Sequence, residues 1–242
     1  MRLAFLFLVL ATLAAGTVIA APAPGGGVSV MPVRLDLAPQ RLSGSVQVQN
    51  GADRERRFQV EVLRWSHVDG EERYEPAPEM VANPPLFRVA AGGTQVLRVG
   101  RSGAPPTDLQ AAYRLYVTEI PDANAPPGNE LRMLMRFGVP VFVAPQAAVV
   151  EKLTWSARHT GKGQLQLAAV NEGNVQQRRA RIVVSDADSS RTLWSQEGFV
   201  DLLAGGDRHQ WSVKYAGPAP RRLRITALSD SGSVDAVVPV TP

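Results

Sequence analysis

The chain contains no cysteine. Disulfides and cysteine-based zinc sites are therefore excluded, and the fold must stand on its own apolar core. Lysine is nearly absent as well, occurring only at Lys152, Lys162 and Lys214. Positive charge is carried by arginine, whose planar guanidinium suits bidentate capture of a carboxylate. The arginines are scattered among acids, and no basic block is interleaved with aromatics, so nucleic-acid binding is not expected. The three histidines, His67, His159 and His209, stand far apart, and none has the H-x-x-x-H spacing of a metal ligand pair. No Gly-x-Ser-x-Gly elbow occurs. Gly25-Gly26-Gly27 and Gly92-Gly93 lack the Walker lysine and a following helix, which argues against nucleotide. Asp186-Ala187-Asp188 has no glycine and distal glutamate to complete a calcium loop and reads as a turn. No metal, cofactor or catalytic residue is expected. Trp65, Trp155, Trp194 and Trp211 fall in predicted strands and read as core, but they keep open a secreted carbohydrate- or surface-binding β-sandwich module. A hydrolase with unrecognised residues is a more distant third reading.

What is present begins with a short basic start, Met1-Arg2, an apolar run from Leu3 to Ala15, and small residues up to Ala20-Ala21. That order is the pattern of a secretory signal peptide spanning residues 1–20, cleaved after Ala20 or Ala21. The apolar run is shorter than the ~20 residues of a bilayer-spanning helix, and Pro22, Pro24 and Gly25 follow it. A soluble, secreted product is the expectation. Beyond this segment, apolar residues recur at every second position: Val46-Gln47-Val48-Gln49, Phe58-Gln59-Val60-Glu61-Val62, Leu165-Gln166-Leu167 and Leu223-Arg224-Ile225. Period two marks strands with one buried face. Turn formers such as Asp69-Gly70, Gly161-Lys162-Gly163 and Gly205-Gly206-Asp207 separate them. Many short strands with no amphipathic helix predict an all-β protein of two immunoglobulin-like β-sandwich domains. The division falls near Pro145, after the strand Pro140-Val141-Phe142-Val143-Ala144, giving domains at 21–145 and 146–242. A short link ending in proline favours a fixed angle, with a cleft at the junction as a binding place.

Four segments, in order, resemble the PapD-like periplasmic pilus chaperones, and most closely their archaic, spore-coat-U-associated branch. The first is Val28-Ser29-Val30-Met31-Pro32-Val33-Arg34, similar to that family's opening strand with its cleft arginine. The second is Asn83-Pro84-Pro85-Leu86-Phe87-Arg88-Val89 with Gly92-Gly93-Thr94-Gln95-Val96-Leu97-Arg98-Val99. The third is Tyr113-Arg114-Leu115-Tyr116-Val117-Thr118-Glu119-Ile120-Pro121. The fourth runs from Leu131 through Met133, Met135 and Phe137 to Pro145 and is similar to the long last strand of the first domain. Val170-Asn171-Glu172-Gly173-Asn174 gives a looser match in the second half.

The resemblance implies a periplasmic carrier that lends a β-strand to pilus or fimbrial subunits lacking one, and delivers them to an outer-membrane usher. Strand addition of this kind is a known mode of peptide recognition. It implies a donor strand with Leu131, Met133, Met135 and Phe137 on one face. Flexible methionine suits a carrier that must fit several pockets. It also implies a cationic anchor for the subunit's terminal carboxylate. Arg34 matches the first member of that anchor. The second is usually a lysine five residues before the closing proline, and here that position is Pro140. Arg114 and then Arg98 are the expected substitutes, with Arg136 behind them.

Overall fold

The computed structural model describes residues 26–121, 133–229 and 232–242. The expected signal segment and Leu131 lie outside them. Seventeen strands and no helix make up the described residues. In the first half these are β1 (Val28–Met31), β2 (Leu35–Leu37), β3 (Ser43–Asn50), β4 (Arg56–Val68) and β5 (Glu71–Pro76). They continue with β6 (Met80–Asn83), β7 (Leu86–Val89), β8 (Thr94–Arg101), β9 (Ala111–Ile120) and β10 (Arg136–Val143). One sheet has the order β1-β3-β8-β6. The facing sheet runs β2-β10-β9-β4-β5, with β7 also on β4. The alternation in sequence is the cause: Val46, Val48, Leu97 and Val99 point inward from one sheet, and Phe58, Leu115, Val117 and Val141 from the other.

The expected single strand over 28–34 is divided. β1 pairs with β3 in one sheet, and β2 runs parallel to β10 in the other. Pro32 breaks the strand, since it has no N–H to give to a ladder. The chain switches sheets there and leaves Arg34 in the bend. Pro84-Pro85 stands at the matching switch from β6 to β7.

The second half holds β11 (Leu153–Gly161), β12 (Gln164–Asn171), β13 (Gln177–Asp186), β14 (Thr192–Leu202) and β15 (Arg208–Lys214). β16 (Arg222–Ser229) and β17 (Gly232–Thr241) complete it. The order is β14-β13-β16-β17-β11-β12-β15, folded over on a core of Leu165, Leu167, Ile182, Leu202, Leu223 and Ile225. β17 leaves β16 at its end to run parallel with β11 through Val240 and Thr241.

Both halves use the same buried polar device. Asn50 is fully buried, and its Nδ2 donates to the carbonyls of Arg54, Val89 and Ala90. Its Oδ1 accepts from the Ala52 amide. Asn171 repeats this with the carbonyls of Val175, Leu202 and Leu203 and the amide of Gly173. Each asparagine closes the loop after a strand with both of its own side-chain polar atoms paired.

The two halves meet at a small apolar contact of Trp65, Phe142 and Leu203. Polar contacts surround it: Gln110 N donates to Asn174 O at 2.9 Å, and His67 Nδ1 lies 2.6 Å from Asp207 Oδ2.

Candidate functional site

β10 has an open side. β9 covers one edge along the whole strand, from Arg136↔Thr118 to Val143↔Ala111. On the other edge, β2 covers only Val141 to Val143. The backbone of Glu119 donates to Met135 O at 2.8 Å, which makes this a hydrogen-bonded pair. Antiparallel alternation then turns the N–H and C=O groups of Phe137 and Val139 toward β9, and those of Arg136, Gly138 and Pro140 away from it. Pro140 therefore sits where a missing N–H costs β9 nothing. The free edge can accept another strand.

Ahead of this edge the chain carries apolar side chains into solvent. Met133 is 74% exposed and Met135 is 37% exposed, with Leu134 exposed between them. Phe137 differs: it is partly buried against the first core, in line with Val139 and Val141. The point where exposed chain becomes strand is held by Glu119, which is 7% exposed. Its Oε2 accepts from the Met135 amide at 3.3 Å. Its two oxygens also accept from Arg56 Nη1, at 2.9 and 3.0 Å.

Sequence reasoning missed this buried pair. The signal was there: Tyr113, Leu115, Val117 and Glu119 are successive core-facing positions, and a carboxylate in such a slot needs a partner.

The even positions of β10 and β9 form the outer face of the same sheet, and the arginines lie on it. Arg34 stands over the Phe142 ring, 4.4 Å from its centroid, and Arg114 over Trp65 at 4.0 Å. These two rings are themselves 6.1 Å apart, so both guanidiniums rest on one aromatic pair. Arg136 stacks on Tyr116 at 3.8 Å, farther along the face. Arg34 Nε also meets Asp36 at 2.8 Å, and Arg114 Nη2 reaches Glu72 at 3.3 Å. Asp36 and Glu72 are both exposed, so these pairs contribute little to stability. Arg98 is not brought to this place. It projects from the outer face of the opposite sheet, between Ser45 and Asn83, while Leu97 and Val99 point inward.

A cleft of about 960 Å³ also opens at the junction of the halves. It is lined by Arg64, Trp65, His67 and Gln110 on one side and by Leu203 to Gln210 on the other. Neither Arg34 nor Arg114 lines it, although Trp65, on which Arg114 rests, does, so the arginine-bearing face borders the junction cavity. His67 and His209, distant in sequence, both face this cleft. The hydrogen bond to Asp207 holds the His67 imidazolium and raises its pKa, against the opposing effect of burial. Desolvation lowers that of His209. His159 lies elsewhere, against Tyr215. Among the described residues no three His, Cys, Asp or Glu side chains are grouped to hold a metal. Asp186 caps its own turn, accepting from the Asp188 amide and the Ser189 hydroxyl. Trp65, Trp155 and Trp211 are buried.

Residues 27–148 match the family described as pili and flagellar-assembly chaperone, PapD N-terminal domain. Over 61 residues the chain is 41% identical to the chaperone protein MyfB of Yersinia enterocolitica. That alignment covers 25% of this chain and spans only 22% of the relative's length. A solved chaperone–tip subunit pre-assembly complex, CsuC–CsuE from the archaic chaperone-usher Csu pili of Acinetobacter baumannii, superposes with a TM-score of 0.68. It is 18% identical, covering 89% of this chain and 100% of that one. The SafA pilin–SafB chaperone complex of Salmonella enterica gives 0.61 at 19% identity, covering 87% of this chain and 96% of that one.

Proposed function

Because this chain belongs to the pili and flagellar-assembly chaperone family, we propose that it is a periplasmic carrier that lends a strand to pilus subunits and passes them to an outer-membrane usher. The observation that carries this reading is the open half-edge of β10, continued by exposed Met133 and Met135. A subunit lacking a strand has the complementary defect: an unpaired edge and an apolar groove. Backbone bonds to Arg136, Gly138 and Pro140 would supply affinity, and alternate side chains would fill the groove. Leu131, Met133 and Met135 form the donor face in this reading. Phe137, already packed on the first core, ends that face and fixes its register.

The arginine face lies beside this edge and would receive the subunit's terminal carboxylate. Arg34 is the first anchor. Arg114 takes the place of the usual lysine, since it is the cross-strand partner of Pro140. We place the signal peptide at residues 1–20 and the two domains at 21–145 and 146–242. Neither nucleotide nor metal enters the cycle; release comes from competition by another donor strand.

The test is co-expression of the tagged chaperone with a fimbrial subunit, followed by affinity capture in EDTA without nucleotide. A stable one-to-one complex is expected. Capture of no subunit, together with retention on a glycan column, would favour the carbohydrate-binding module instead.

A further inference from the structure

Resting on that anchor reading, we propose that Gln176, a side chain of the second domain, is a positioning residue for Arg34. The second domain thereby sets the geometry of a carboxylate site whose cations all come from the first.

Gln176 is 8% exposed and is tied on three sides. Its Oε1 accepts from Arg34 Nη1 at 2.9 Å. Its Nε2 donates to Asp201 Oδ1. Its backbone amide donates to Gln110 Oε1 at 2.7 Å. The amide has only one possible orientation, because a guanidinium cannot accept and a carboxylate cannot donate. Asp201 therefore turns the oxygen of Gln176 toward Arg34, and Gln110 of the first domain holds the backbone that carries it.

Arg34 needs such support because of where it lies. It stands in the bend between β1 and β2 and has no strand ladder to fix it. A free arginine side chain has many rotamers, and ordering it costs entropy. Three contacts restrict it: the Phe142 ring beneath, Asp36 on Nε and Nη2, and Gln176 on Nη1. These bonds use three of the five guanidinium donors and leave one on each Nη for an incoming carboxylate. Ordering the side chain beforehand lowers the cost of binding. Asp36 belongs to the same short segment as Arg34 and moves with it. Gln176 is the contact that refers the guanidinium to the rest of the molecule.

The probe is a synthetic strand peptide of alternating Val and Thr, about ten residues long, made with a free terminal carboxylate and as the C-terminal amide. The quantity read is the ratio of the two affinities. Loss of packing would weaken both peptides alike, whereas loss of anchor geometry weakens only the acid. Wild type should prefer the acid. Gln176→Leu should lower that preference about tenfold and leave amide affinity unchanged, as expected for a lost hydrogen bond to a charged group. Gln176→Met serves where Leu fails to fold. A second measurement needs no ligand: the Arg34 Nε–H resonance should be sharp in wild type and exchange-broadened in the variant. An unchanged ratio with an unchanged resonance would overturn the positioning role while leaving the anchor intact. A wild-type protein indifferent to the carboxylate, or binding neither peptide, would instead overturn the anchor reading itself.

Discussion

Arg114 of β9 lies directly across the ladder from Pro140 of β10. Cross-strand partners share a face, so the Arg114 side chain emerges beside the position where related chaperones are expected to carry a lysine. In the proposed anchor the positive charge would stand one strand to the side, where Arg114 rests on Trp65. Substitution at the two face arginines and at Arg98 separates their roles. Arg34→Ala and Arg114→Ala should each lower subunit co-purification at least tenfold while the protein still folds; a stability loss of about 1–3 kcal/mol is expected for Arg34→Ala, which strands Gln176 Oε1. Arg98→Ala, on the opposite sheet, should capture subunit as wild type does. Normal capture by the Arg114 variant would mean that no cation replaces the lysine.

Met133 and Met135 stand in solvent and contribute little to the first core. Replacing both with Asp should lower the unfolding midpoint by only a few degrees, since exposed substitutions usually cost under about 0.5 kcal/mol each and only position 135 faces the Glu119 carboxylate. Subunit capture should collapse, because an unpaired charge forced into an apolar groove costs several kcal/mol. Quantitative pull-down beside thermal unfolding checks both halves. A double variant that still binds would show that the donor face lies elsewhere.

Glu119 has the opposite balance. Its loss would strand Arg56 in a site where only 14% of that side chain is exposed. Breaking a buried pair on one side costs about 3–5 kcal/mol. It would also free the Met135 amide where the exposed segment joins β10. Glu119→Ala should lower stability by about that amount and should speed hydrogen exchange at Met135 and Phe137. Glu119→Gln, which keeps an acceptor, should fall between. Urea unfolding and amide exchange would decide; wild-type stability in the alanine variant would refute the role.

Much of the fold was legible because period-two alternation is a local signal. Phe58-Gln59-Val60 and Leu223-Arg224-Ile225 state their buried faces within three residues. The split of 28–34 was not read, although Pro32 signalled it, because a sheet switch depends on which strand each half meets. The site was legible in part. Arg34 and Arg114 share a face, but Arg98 does not, and only strand order separates them. Asp36 and Gln176 escaped notice, and Trp65 was read only as core, because their roles come from side-chain contacts that the sequence does not display. The Asn50 and Asn171 loops show the same limit: Asn171 was noted as a motif, but its three carbonyl partners become visible only in three dimensions.

The junction between the halves should respond to pH through His67. Asp207 holds this imidazole on Nδ1, and the same Oδ2 accepts the Leu203 amide, so the contact joins the second domain's loop to β4 of the first. Glu72 and Asp201 add negative potential, and His209 faces the same cleft with a pKa lowered by burial. The His67 pKa is raised above its ordinary value of 6.5. A group whose folded pKa is raised stabilises fully below its unfolded pKa, and that contribution is lost as pH rises through the folded value. His67→Gln keeps a donor for Asp207 but cannot titrate. Wild type should therefore exceed the variant in stability by more at pH 5.5 than at pH 8.5. The change should be on the order of 1 kcal/mol, because burial of the imidazole opposes the gain from Asp207. His209→Gln should give the opposite slope, because burial of a neutral imidazole favours the folded state at high pH and opposes it below the ordinary histidine range. Urea midpoints of both variants across this range are the measurement. Parallel curves for wild type and His67→Gln would show that the His67–Asp207 contact carries no charge that folding senses.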